Sequence, residues 1–297
     1  MEYTFFAVLL LETFSWLDWL AIACFFVCWA WYYQFCWNNL RTKCCLAATM
    51  HGYRYDWMQR MIEREVRIAD ATIMTHLERN GAFFASSSLL ILAALFSLLG
   101  ATDQVLEIVA KLPFTLTYTK PLALQIKLVL LISIFIYSFF TFSWSMRQYN
   151  FCAILIASAP SPYDKTVSQA ARDSFVTQAA NVIDLAANQF NYGLRAYYFS
   201  LALLGWFVHP LVLILASFAV VGVLYRREFH SKTLRALSAG RNPKFTFKGI
   251  MQGVGTETFS APTAETEAKT VEANPLEAKP AAAVSPEQDT AVPPKKP

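Results

Sequence analysis

Three groups of side chains have the types and spacing to do chemistry. The first is a charged run in which Arg60, Arg64 and Arg67 recur at steps of four and three, with Glu63 and Asp70 on their flank. On a helix this spacing displays both signs of charge over a compact area, suited to docking a partner or meeting anionic lipid. A solvated helix face accounts for the same pattern and takes precedence, because an exposed Glu63–Arg67 pair contributes only about 0.3–0.5 kcal/mol. The second group is Ser86, Ser87, Ser88, Asn191, Arg195 and His209, all inside or beside apolar stretches. Close helix packing explains the hydroxyls; a polar route for a solute or ion is the sharper reading. The third is Cys24 and Cys28, four residues apart, with Cys36, Cys44 and Cys45 following.

None of the three forms a recognisable catalytic or metal-binding motif. His209 is followed by Pro210 within an apolar run, and an intramembrane histidine is a candidate proton relay or haem ligand. The remaining histidines, His51, His76 and His230, lie outside or at the ends of the apolar runs, so no second axial ligand is evident at that depth. A structural hydrogen bond is therefore preferred for His209, proton or substrate handling comes second, and haem last. The cysteines lack a histidine or carboxylate at zinc-like spacing and read as small buried hydrophobes. The adjacent Cys44 and Cys45 could be acylated in a eukaryotic host. No phosphate-cradling glycine loop, nucleophile elbow, HExxH or paired CxxC motif is present. The chain reads as non-enzymatic, with no metal and no cofactor.

The elements that must position these residues follow from hydropathy. Hydrophobic residues make up 56% of the 297 and charged residues only 15%, with 15% aromatic and a net charge of +4. That is the profile of a bilayer-embedded chain. About 20 apolar residues cross a bilayer as a helix, which places spans near 18–37, 81–100, 122–144 and 197–225. Glu12 and Asp18 in the first apolar segment, with no basic residue before it, argue for a retained anchor rather than a cleaved signal. Tyr3 to Leu17 would lie near an interface. Lys127 stands close enough to a helix end to extend its ammonium to the interface. Pro210 frees the carbonyl of Trp206, so a kink is expected there.

Two polar helices precede spans. Met58, Ile62, Val66, Ala69, Ile73 and Leu77 form one apolar stripe, predicting a helix over about 55–80 that runs unbroken into the second span. Ser161-Pro-Tyr-Asp164 has the form of an N-cap, and the stripe from Val167 to Phe190 predicts a helix over about 162–195. Neither would be stable alone in water, so the two are expected to pair on one side of the membrane. The expected architecture is an all-α membrane domain over 1–250: a four-helix bundle with two long amphipathic extensions on one side. From 251 to 297 Ala, Pro, Thr and Glu dominate, which predicts a disordered tail.

The run Arg60-Met-Ile-Glu-Arg-Glu-Val-Arg-Ile-Ala-Asp-Ala71 and the segment Phe83-Phe-Ala-Ser-Ser87 resemble an uncharacterised membrane family, domain of unknown function 599. So do Gly193-Leu-Arg-Ala-Tyr-Tyr-Phe199, Trp206-Phe-Val-His-Pro210 and Leu224-Tyr-Arg-Arg-Glu-Phe229. The resemblance extends over about 16–240. It implies a multi-span fold and supplies no catalytic residues.

Orientation is contradictory at this level. Seven Lys or Arg lie between Asn38 and Asn80 and seven between Arg226 and Lys248, yet four spans put the two segments on opposite sides. The first helix favours an outside N-terminus with both polar helices in the cytoplasm; a fifth crossing or a re-entrant segment would also remove the conflict. The chain reads as a multi-pass protein of the bacterial inner (cytoplasmic) membrane. The lipid bilayer is its surrounding partner, a homo-oligomer or membrane complex is compatible with its size, and no nucleic-acid module is present. Two function classes remain: a non-enzymatic scaffold or accessory subunit docking through Arg60, Glu63, Arg64, Arg67 and Asp70, or a small-solute or ion transporter using the Ser86–His209 set.

Overall fold

The computed structural model describes residues 12–39, 45–110 and 120–239. The expected tail over 251–297 and most of the 3–17 segment lie outside these residues. Among the described residues all regular structure is helical: α1 Trp16–Asn39, α2 Leu46–Ile62, α3 Ile68–Gly100, α4 Thr102–Ala110, α5 Pro121–Ser158, α6 Gln169–Leu204, α7 Pro210–Phe229 and α8 Lys232–Ala239.

Among the described residues four stretches are long and apolar enough to cross a membrane: Trp16–Cys36, Ile68–Gly100, Pro121–Ser158 and Pro210–Ala239. Their outer surfaces carry large apolar side chains such as Phe26, Leu90, Phe140 and Leu215, which a lipid solvent accepts. Three helices exceed a bilayer's thickness. At 1.5 Å per residue the 33 residues of α3, 38 of α5 and 36 of α6 reach about 50–57 Å.

Contacts along the helices fix their directions. Glu78 meets Asn150 and Phe84 stacks on Phe142, so α3 and α5 are antiparallel. Ser145 bonds the Ala186 carbonyl, Phe135 packs on Tyr197, and Lys127 bonds the Trp206 carbonyl, so α5 and α6 are antiparallel too. On the other flank of α6, Arg195 lies over Tyr32, Phe199 against Phe25, and Trp206 bonds Asp18. The end of α6, from Ala196 to Leu204, thus passes through the same layer as α1 and α5.

This geometry corrects the expected fourth span over 197–225. The chain does not kink at Pro210 but reverses there. After α6 a 3-10 turn, Gly205–Phe207, leads to His209, whose extended backbone and Nδ1, accepting from the Leu211 N–H at 3.2 Å, cap the new helix α7. Proline suits the first turn of that helix, where its missing N–H has no partner to lose. Gly205 is required at the crossing, since a Cβ there would meet Val212 at 2.9 Å. Helix α7 then returns beside α1, with Tyr225 and Phe229 against Phe35.

The reversal removes the charge conflict. Glu228 accepts from the Ala47 N–H and Leu237 from the Tyr53 hydroxyl, so the basic end of α7 and the basic helix α2 share one side.

Two cores result. One lies among the spans and centres on Phe25, Phe199, Leu203, Trp206 and Leu213. The other lies beyond them, where Met58, Met61 and Met74 pack with Cys152, Ile156, Ala180 and Ile183. The expected pairing of polar helices is realised here through α2 and α6, with the extended end of α5 completing the layer.

Candidate functional site

The expected helix over 55–80 is broken between Ile62 and Ile68. No proline or glycine marks the break, which is made by tertiary contacts. Asp70, only 1% exposed, accepts from Trp57 Nε1 at 2.6 Å and from Arg64 at 2.8 Å, all on the same oxygen, Oδ1. Arg67 turns the other way and donates to the carbonyls of Ala159 and Pro160, both at 2.7 Å, closing the end of α5. These carbonyls have no helical N–H partner, so a guanidinium with several donors is a fitting cap.

The candidate docking face is therefore divided. Asp70 is buried, Arg64 is its ion-pair partner and Arg67 is a cap, whereas Arg60 and Glu63 stay exposed. Beside them Val66 is 68% and Ile68 73% exposed.

A second polar centre joins α2 to α6 and was not legible in the sequence. Asp184 takes a 2.6 Å bond from Arg54 and pairs with His51. Burial draws the Arg54 guanidinium below the usual arginine range. The only sign of this site in the sequence was Asp184 falling next to the apolar stripe of its helix.

The candidate polar route is not brought together. Ser86 is exposed; Ser87 bonds back to the Phe83 carbonyl. Ser88 is fully buried and bonds Tyr197 at 2.9 Å, joining α3 to α6. Asn191 and Arg195 line a cleft at the α2 side of the bundle, while His209 caps α7 at the other side. Along α6, Arg195 and Trp206 stand about 16 Å apart, and Phe199, Ala202 and Leu203 between them are buried.

Lys127 does not extend to the interface as expected. It is 7% exposed and donates to the Trp206 carbonyl at 2.8 Å, while the Trp206 indole donates to Asp18 at 2.7 Å. Its ammonium also lies 5.0 Å from the Trp206 ring. The carbonyl released by Pro210 attracts the cation inward.

The second N-cap is also displaced. Ser161–Asp164 forms a turn, with Asp164 accepting from both the N–H and the hydroxyl of Thr166, bonds that hold its carboxyl below the usual range. Helix α6 begins later, capped by Ser168. Cys45 likewise acts as a cap, its Sγ accepting from the Ala48 N–H, with burial pushing the thiol up to about 11. Cys45 is 1% exposed, a position closed to an acylating enzyme; Cys44 lies outside the described residues. Among those residues no three metal-ligating side chains converge.

The arrangement defines a polytopic α-helical membrane protein with a helical layer outside the bilayer. The chain belongs to the family described as protein of unknown function, DUF599, whose pattern matches residues 20–233. Comparison with curated proteins and with solved structures found no match.

Proposed function

We infer that the protein is a non-enzymatic scaffold or accessory subunit of a membrane complex, seated in the bacterial inner membrane with its helical layer in the cytosol. The observation that carries this reading is the elbow between α2 and α3. Val66 and Ile68 are exposed apolar residues flanked by exposed Arg60 and Glu63, and Ile73, Ile154, Tyr163 and Leu185 are further exposed ones in the same layer. Ile68 stands about 20 Å along α3 from Gly81, the start of the second span expected from hydropathy, with the polar stretch of α3 between them. That separation favours a protein over lipid as its cover, and an exposed apolar patch rimmed by charge is a common feature of interaction surfaces.

Both basic segments on one side support the cytosolic assignment through the positive-inside rule. Transport is the weaker alternative, because buried aromatic and aliphatic side chains occupy α6 between Arg195 and His209.

A photo-crosslinking residue at Ile68 in the full chain in its host tests the reading. A discrete protein adduct that Arg60→Glu abolishes, without loss of folded protein, is the expected result. Absence of any adduct, or an adduct indifferent to Arg60→Glu, would remove the elbow as a docking surface. Solute flux in reconstituted vesicles that His209→Ala abolishes would favour transport instead.

A further inference from the structure

Arg226 and Arg227 stand in the last turn of α7, at a depth fixed by α1. The apolar span of α1 ends at Cys36, and Phe35 beside it packs on both Tyr225 and Phe229. Trp31, stacked on Phe35, and Tyr225 are both exposed at this level, and exposed tryptophan and tyrosine mark a membrane–water boundary. The two arginines therefore lie where the apolar layer meets the headgroups.

Arg227 does not extend toward water. A helical side chain leans toward the N-terminus of its helix, which for α7 is the bilayer side, and Arg227 follows that direction to Tyr198 of α6. Its Nη1 donates to the Tyr198 hydroxyl, and the guanidinium lies 5.5 Å from the centre of that ring. Tyr198 immediately precedes Phe199, which belongs to the core among the spans. Arg227 is nonetheless exposed, and no acidic side chain among the described residues pairs with it. The bond to Tyr198 occupies one of five N–H donors. A hydroxyl that accepts from a guanidinium also keeps its own proton to donate, and the Tyr198 O–H meets no acceptor among the described residues. Two directly bonded side chains thus present unused donors on the outer surface, at the edge of the lipid.

We propose that Arg227 and Tyr198 bind the phosphate of an anionic phospholipid. The guanidinium and the phenol donate to its oxygens, a charge-assisted arrangement for which the planar arginine fork is suited. Surrounding charge decides the lipid class. Arg226, Lys232 and Arg235 are exposed too and form no ion pair with a described residue. The one acidic residue of α7 and α8, Glu228, turns to the Ala47 N–H at 3.0 Å. The outer surface therefore attracts a headgroup of net negative charge, each nearby cation adding to the attraction. The inference does not depend on the docking reading of the elbow.

The test uses the purified full chain in a neutral detergent, with short-chain phosphatidylglycerol or phosphatidylcholine titrated in and thermal unfolding followed. Phosphatidylglycerol is expected to raise the midpoint at concentrations about tenfold below those phosphatidylcholine requires. Arg227→Gln and Tyr198→Phe should each raise the phosphatidylglycerol concentration needed by about fivefold, and Arg226→Gln should do so less. Tyr198→Phe keeps the ring and its packing, so it decides the matter even if Arg227→Gln fails to fold. Equal responses to the two lipids overturn the proposal. A phosphatidylglycerol response unchanged in Tyr198→Phe overturns it in favour of a diffuse basic flank. An effect of free glycerol phosphate at the same concentrations overturns the lipid source and assigns a soluble phosphate ester.

Discussion

Lys127 of α5 donates a 2.8 Å hydrogen bond to the carbonyl of Trp206, the acceptor that Pro210 deprives of its helical donor. The bond links an intramembrane charge to the point where the chain reverses. With Asp18 holding the Trp206 indole, three separate helical segments meet at one tryptophan that has no solvent exposure.

Lys127→Met leaves that carbonyl buried without a donor. The expected loss is about 1–3 kcal/mol, read as a lower unfolding midpoint in a denaturing-detergent titration. Removing a buried ammonium also relieves a desolvation cost. A variant more stable than the parent would show that the charge outweighs the bond.

Gly193 lets α6 approach α5, since a Cβ there would lie 2.6 Å from the Phe142 ring. That ring is itself fully buried against Phe84, Phe190 and Tyr197, so it cannot swing aside. Gly193→Ala is expected to cost about 1–3 kcal/mol through overpacking. Gly100→Ala, with open space around it, is the control and should be within about 0.5 kcal/mol of the parent. Equal effects at the two sites would contradict the close approach.

Cys45 gives a pH-dependent signature. Burial raises its thiol from 9.0 to about 11 in the folded chain, so the proton is held more tightly when folded. Its contribution to stability is therefore complete below pH 9 and declines as pH rises toward about 11. Cys45→Ser keeps the cap on the Ala48 N–H and should flatten this alkaline decline; Cys45→Ala should flatten it and also lose about 1 kcal/mol at neutral pH. Unfolding midpoints from pH 7 to 11 separate these outcomes, and an identical alkaline slope in all three proteins would assign the decline elsewhere.

The reversal at Pro210 predicts sidedness. Single cysteines replacing Arg60 and Arg235 should be labelled by a membrane-impermeant reagent from one side, and one replacing Asp103 from the other. If Arg60 and Arg235 label from opposite sides, α6 and α7 form one crossing and the hairpin is wrong.

The membrane class and the helical character could be read from the sequence because each depends on local composition and periodicity, whereas the expected fourth span over 197–225 was misplaced. An apolar run of about 20 residues has few alternatives in a bilayer. The stripe of Met58 and Ile62 also marked real core positions, since helical spacing alone puts them on one face. The break at 63–67 escaped this reasoning. Arg64, Arg67 and Asp70 have the same spacing in a continuous helix as in a broken one, and only partners distant in sequence, Trp57 and the carbonyls at the end of α5, decide which forms. The start of α6 was misplaced because Ser161 and Ser168 are both chemically able to cap, and the fold uses Ser168.

Pro210 shows the same division. The sequence by itself determined that the carbonyl of Trp206 would lose its donor there. Whether the chain bends onward or turns back depends on what receives that carbonyl and how closely the two helices can meet. Lys127 from α5 and the bare backbone of Gly205 supply those conditions in three dimensions, and they bring the end of α7 to the same side as α2.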